Sequence, residues 1–258
     1  MNPATAAFAV IALLAGNASA QAGPAARAAP EDACQSVVFE GAPLTDCTAD
    51  PATDSIRIIV GPDGGEPYRS LAAFAAKRPR HAAPLRFVMN AGMFGEDGRP
   101  IGYTVSAGKR LHGLNRASAP GNFYLKPNGV FLGSGGKWQV LGTEAFADTI
   151  RKRPEFATQS GPMLVIDGRL HPQFAPDGPS KKIRNGVGVD PAGRAHFVIS
   201  EAPVSFGKLA RYYRDVIKAR NALFLDGTVS QLWDPARARM DSGPPLGPLV
   251  VVERRRGK

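Results

Sequence analysis

The stretch Gly186-Val187-Gly188-Val189-Asp190-Pro191-Ala192-Gly193-Arg194-Ala195-His196-Phe197-Val198-Ile199-Ser200 decides the fold. Residues 186–189 and 196–200 are apolar runs too short to form buried helices, and the Asp-Pro-Ala-Gly between them is turn chemistry. The stretch therefore predicts a β-hairpin. Working outward, residues 163–166 and 169–171 repeat the pattern across Asp167-Gly168, while residues 223–225 and 249–252 read as buried strands. On the N-terminal side, residues 55–60 form a strand running into the turn Gly61-Pro62-Asp63-Gly64-Gly65, and residues 85–89 form a buried strand. Residues 122–125 and 130–132 read as strands around Lys126-Pro127-Asn128-Gly129, and residues 137–141 continue the meander.

Helical signals are few. Ser70 caps a short amphipathic helix ending at Lys77, and Thr143 caps a helix over residues 144–152 that Pro154 stops. Ser205 caps a third, in which Phe206, Leu209, Ala210, Tyr213, Val216 and Ile217 recur at helical spacing and define one core face. Many strands with three helices predict an α+β fold of mixed, mainly antiparallel sheets with a few flanking helices, in a single domain over residues 34–258.

Residues 1–20 carry no charged side chain, hold an apolar stretch and end in Ala18-Ser19-Ala20, the pattern of a secretory signal peptide. Residues 21–33, rich in Ala, Gly and Pro, read as a flexible leader. No later run is long enough to span a bilayer, so the mature chain is expected to be exported, periplasmic or extracellular, without a transmembrane segment. In an oxidising compartment Cys34 and Cys47 should pair, which on the loop-entropy model contributes about 3 kcal/mol. Lys plus Arg exceed Asp plus Glu by 32 − 22 = +10. That field concentrates anionic ligands, and the compartment argues against nucleic acid as the partner.

Four segments share one form, a short apolar strand running into a polar residue beside Gly: Met89-Asn90-Ala91-Gly92, Gln159-Ser160-Gly161-Pro162, Arg184-Asn185-Gly186 and Leu225-Asp226-Gly227. Polar groups at strand ends can converge at a sheet edge, where Gly lets backbone N–H groups approach a ligand. Asp226 emerges from an apolar strand that would tune its acidity and is the first catalytic candidate. Arg184, preceded by Lys181-Lys182, is the anion-binding candidate because its planar fork fits phosphate or carboxylate, and Arg116 beside Asn115 ranks second. His112 and His171 are loop histidines for which a structural role outweighs proton transfer. Zinc motifs, a Walker loop and the frame of an elbow serine around Ser160 are all missing.

These blocks resemble the phosphodiester glycosidase family. The matching order is Asn90-Ala91-Gly92-Met93-Phe94, Gln159-Ser160-Gly161-Pro162-Met163-Leu164 with Asp167-Gly168, Arg184-Asn185-Gly186-Val187-Gly188, then Leu225-Asp226-Gly227 with Ser230. The chain departs from the family pattern at Ala91, Met93, Thr228 and Val229. The resemblance implies a hydrolase that cleaves between an anomeric carbon and a phosphodiester oxygen of an anionic sugar-phosphate or glycan substrate, with no cofactor required. Divalent-metal dependence is left open. Asp226 would stabilise or attack the oxocarbenium-like centre, and Arg184 with backbone N–H groups would hold the leaving phosphate. Asn90, Gly92, Gln159, Ser160, Gly161, Asn185, Gly186, Gly227 and Ser230 would form the substrate-binding set. Two rivals stay open: a noncatalytic binder of anionic cell-envelope glycans, and a metal-dependent phosphodiesterase using Asp226 with Asp190.

Overall fold

The computed structural model describes Met1 and residues 32–255. In chain order its strands are β1 (Cys34–Phe39), β2 (Ala42–Ala49), β3 (Asp54–Ile59), β4 (Leu85–Asn90), β5 (Thr104–Ser106), β6 (Lys109–His112), β7 (Gly129–Ser134), β8 (Lys137–Gly142), β9 (Phe156–Ser160), β10 (Met163–Ile166), β11 (Arg169–Leu170), β12 (Asn185–Val189), β13 (Ala195–Ser200), β14 (Ala222–Asp226), β15 (Leu232–Asp234), β16 (Arg239–Met240) and β17 (Leu249–Arg254). They form three sheets, ordered β1-β2-β13-β12-β14-β10-β11, β16-β15-β4-β17-β3 and β6-β5-β9-β7-β8. The strand pairings recorded are antiparallel, so the α+β expectation holds with antiparallel sheets in place of mixed ones.

One core joins the inner faces of all three sheets. Phe197 of β13 meets Phe87 of β4 at 5.5 Å between ring centroids and Phe131 of β7 at 5.6 Å, both edge-on. The helices α1 (Leu71–Lys77), α2 (Thr143–Thr149) and α3 (Phe206–Arg211) cover outer faces. Gly186 and Gly188 leave β12 flat beneath Tyr213, and a β-carbon at Gly188 would stand 2.7 Å from that ring. The alternation Gly-Val-Gly-Val thus marks one face for the core and the other for an aromatic lid.

Ser70 and Ser205 cap α1 and α3 as expected, accepting from the N–H groups of Ala73 and Lys208. Thr143 does not cap α2. Its hydroxyl donates to Asn128 Oδ1 at 2.8 Å inside the fold, and the helix stops at Thr149. The third helix passes into a π turn over Tyr212–Val216, whose extra residue rotates Val216 to 50% exposure while Ile217 stays buried. Asn122–Tyr124 is a 3-10 turn where a strand was expected, because the Asn128 side-chain amide caps the Phe123 carbonyl and local bonds replace a ladder.

The expected signal peptide and most of the leader lie outside the described residues. Asp32 and Ala33, assigned to the leader, are fixed: Asp32 pairs with Arg237 at 3.2 Å, and Ala33 O accepts from Thr48 N–H. The segment after them is a hairpin, β1–β2, in which Cys34 and Cys47 stand opposite one another and are bonded. No helix among the described residues is long and apolar enough to cross a membrane.

The far end of the β12–β13 hairpin carries an ionic chain. His196 Nδ1 lies 3.1 Å from Asp46 and Nε2 lies 3.3 Å from Asp190, whose carboxylate also takes Arg194 at 2.7 Å. Burial lowers the His196 pKa, but hydrogen bonds and charge from Asp46 and Asp190 outweigh it and hold the pKa above the ordinary imidazole range. The resulting stabilisation is fully present below about pH 6.5 and is lost as pH rises through the elevated value. Urea midpoints at pH 6 and pH 9 should therefore differ more in the wild type than in His196→Gln; equal pH dependence in both would show that the imidazolium contributes nothing.

Candidate functional site

Four strand ends from the three sheets meet at one place. Asn90 ends β4, Ser160 ends β9, Asn185 begins β12 and Asp226 ends β14, with Asn185 and Asp226 in register across a bulge. Asn185 is fully buried and acts as the hub. Its Oδ1 accepts from the Asp226 backbone N–H at 3.0 Å, from Asn90 Nδ2 at 3.2 Å and from the Ser230 hydroxyl at 3.2 Å, while its Nδ2 donates to Asn90 O at 3.0 Å. Asn90 Oδ1 in turn accepts from Gln231 N–H, and the Ser160 hydroxyl donates to Leu225 O at 2.8 Å. Asn90, Asn185 and Ser160 are thereby committed to holding the loops, and their side chains position the site from beneath.

The Asp226 carboxylate is left at the rim. One oxygen accepts from the Gly227 N–H at 2.6 Å and the Thr228 N–H at 3.0 Å, and Thr228 itself is exposed. Burial raises the Asp226 pKa above the usual carboxylate range, against the lowering effect of the N–H groups of Thr228, Gly227 and Val229. Of the side chains hydrogen-bonded in this cluster, Asp226 is the carboxylate, and it is partly desolvated with no cation paired to it among the described residues. A carboxylate so perturbed at converging strand ends marks a candidate functional site.

Arg184 adjoins Gly227, next to Asp226, but the residue is only 1% exposed. Nε donates to Val204 O at 3.0 Å, Nη2 donates to Ser180 O at 2.9 Å and to Ser180 Oγ at 3.0 Å, and the plane lies 3.6 Å over the Phe206 ring. Nη1 lies 3.3 Å from where a β-carbon on Gly227 would stand. Nε and Nη2 of the fork expected to face a ligand are therefore spent on two carbonyls and a hydroxyl while Nη1 faces Gly227, and desolvation lowers the pKa to about 10, which leaves the group charged at neutral pH. Lys181, Lys182 and Ile183, just before it, are exposed, and Ile183 O lies 3.5 Å from Ser230 Oγ.

Other sequence candidates fall away from the carboxylate. Gln159 faces opposite to Ser160, accepting from the N–H groups of Tyr103 and Asn115 and donating to Asn115 O. Gly92, Gly161 and Gly186 are close-packing positions, where a β-carbon would come within 3 Å of Gln159 O, Asn128 Cβ and Leu223 O respectively. Gly227 and Ser230 remain at the rim. Arg116 is an exposed ion pair with Glu144, and His112 sits exposed on β6. His171 is buried, stacked on Phe174 and bonded at both ring nitrogens, and burial lowers its pKa. Asp190 lies at the other end of β12, roughly 16 Å of strand from Asp226, so the two cannot share one ion. A cavity of about 830 Å³ lies away from this cluster, between β3 and the β5–β6 hairpin, and none of its lining residues belongs to it.

A three-sheet antiparallel α+β domain with a desolvated carboxylate at converging strand ends defines the class of molecule. The family model described as phosphodiester glycosidase matches residues 84–235, and the chain belongs to that family. It is 33% identical over 208 residues to the uncharacterized protein YigE of Escherichia coli (strain K12), covering 81% of each chain. Its fold is similar to the catalytic domain of zebrafish N-acetylglucosamine-1-phosphodiester alpha-N-acetylglucosaminidase auto-inhibited by its pro-peptide, with TM-score 0.59 and 13% identity over 86% of this chain and 82% of that one. A putative exported protein from Burkholderia pseudomallei K96243 matches with TM-score 0.53 and 11% identity over 82% and 74%.

Proposed function

We propose that this protein is an exported hydrolase that cleaves a glycosyl phosphodiester bond and releases the sugar. The observation that carries the reading is the Asp226 carboxylate, held by the N–H groups of Gly227 and Thr228 on a backbone that Asn185 fixes from below, partly desolvated and at the rim. In the proposed reaction the carboxylate faces the anomeric carbon while its bond to the phosphodiester oxygen breaks. The electron pair leaves with the phosphomonoester, a stable anion that needs little protonation, and water completes the hydrolysis. The N–H groups of Gly227 and Thr228 hold the carboxylate itself, so the leaving anion is met by the exposed Lys181 and Lys182 that precede Arg184 in the chain. Ser230 and Thr228 supply hydroxyls to the sugar or phosphate.

The same observation weighs against a noncatalytic binder of anionic glycans, since an unpaired carboxylate in the pocket repels such a ligand. Family membership and a disulfide of the kind favoured in oxidising compartments support the exported hydrolase.

A panel of chromogenic sugar-1-phosphodiesters assayed for free sugar tests the reading. Turnover of at least one member is expected, whereas binding across the panel with no release of sugar would establish the binder instead. If Asp226 acts as the anion, the rate should fall as pH drops through its raised pKa, placing the acidic limb above the ordinary carboxylate range of about 4. A profile flat down to that range would remove Asp226 from the chemistry.

A further inference from the structure

A second concave surface lies apart from the Asp226 cluster. It is the groove of about 830 Å³ between β3, the edge of one sheet, and β6, the edge of another. Its Lys and Arg residues come from four separate stretches: Arg57 on β3, Lys77 in the last turn of α1, Arg99 in the loop after β4 and Lys109 on β6. Asp63 is the carboxylate in the lining, so the balance is 4 − 1 = +3.

These charges are poorly neutralised. Neither Lys77 nor Lys109 has an ion-pair partner among the described residues. Arg99 reaches Glu66 at 3.5 Å and Asp97 at 4.0 Å, acids whose side chains are 88% and 63% exposed, and water screens such pairs heavily. Arg57 shares the buried Glu253 with Arg78, so one carboxylate serves two cations.

Basic side chains on edge strands prevent sheets from pairing with one another, and that role accounts for Arg57 and Lys109. It does not account for Lys77 and Arg99, which lie on no edge strand and line the same hollow. Nor does it account for the apolar part of the lining, where Ile59, Tyr68 and the 41% exposed Leu111 face the groove. Its volume fits several sugar units and is far larger than a single ion requires.

We infer that this groove binds an anionic polysaccharide chain, with sugar faces against Tyr68 and Leu111 and acidic groups against Lys77, Arg99 and Lys109. Single-stranded nucleic acid fits less well, because grooves that hold it stack successive bases on several aromatic rings and this one offers Tyr68 alone among Phe, Trp and Tyr. The inference extends beyond the hydrolase reading and requires no turnover.

Fluorescence anisotropy with a labelled oligogalacturonate tests it, using a neutral dextran oligosaccharide, a single-stranded oligodeoxynucleotide and inorganic pyrophosphate as comparison ligands. Wild-type protein should bind the oligogalacturonate more tightly than any of the three, and the affinity should weaken as salt is added. The triple variant Lys77→Glu, Arg99→Glu, Lys109→Glu should lose about tenfold or more in affinity, with Tm unchanged. If that variant does not fold, Lys77→Gln with Lys109→Gln should lose roughly threefold. Asp226→Asn should bind as the wild type does, so a failed hydrolase assay leaves this result intact. Equal binding by the charge variants, or tighter binding of the oligonucleotide, dextran or pyrophosphate, would overturn the proposal.

Discussion

Replacing Asp226 by Asn should lower turnover by ~10³-fold or more, about 4 kcal/mol of transition-state stabilisation, while leaving Tm equal to or above that of the wild type. The two halves of this expectation have one cause. The Asn side-chain oxygen can still accept from the N–H groups of Gly227 and Thr228, so the turn keeps its bonds. What disappears is a carboxylate held in a desolvated site. Because its folded pKa is raised, ionising it costs stability once pH exceeds the unfolded value near 4, so the uncharged amide removes that cost at neutral pH. Steady-state kinetics on the best phosphodiester of the panel, with thermal unfolding of the same samples, measures both. An active Asn variant, or one lost through unfolding, would remove Asp226 from the catalytic role.

Arg184→Met should show the opposite behaviour, a loss of about 3–5 kcal/mol in folding stability. Removing the guanidinium leaves Ser180 O without its side-chain donor, leaves Val204 O with the Lys182 N–H in place of two donors, and takes the cation from the face of Phe206. Arg184→Lys should recover less than half of the loss, because a point charge with a rotating head cannot serve two carbonyls in the fixed fork geometry. Urea unfolding of the three proteins measures the series. Activity lost in the Met variant should follow the unfolded fraction. A Lys variant as stable as the wild type but with a sharply raised KM would instead return the guanidinium to the role of an anion clamp.

The two substitutions separate what strand-end motifs reveal from what they conceal. Asn185-Gly186 and Leu225-Asp226-Gly227 announce polar groups at the ends of apolar strands, and the structure sets them side by side. Sequence does not say which of those groups keeps a free atom. Asn90, Ser160 and Gln159 carry the same chemistry as substrate-binding residues, yet their donors and acceptors are absorbed by Asn185, Leu225 O and the Tyr103–Asn115 loop. The alternation of side chains along β9 turns Ser160 and Gln159 to opposite faces, and the packing of the sheets decides that the Ser160 face meets β14.

The sequence by itself determined the antiparallel hairpin at residues 186–200, the Ser70 and Ser205 caps, the family motifs and the place of Asp226 at the end of an apolar strand, because each rests on local periodicity or turn chemistry. It did not disclose the β1–β2 hairpin, because β2, with its Ala, Pro and Asp, resembles a loop until β13 supplies a partner. Nor did it disclose the π turn that exposes Val216, the burial of Arg184, or the groove between β3 and β6. Those depend on which faces and edges pack together, and packing brings together residues that lie far apart along the chain.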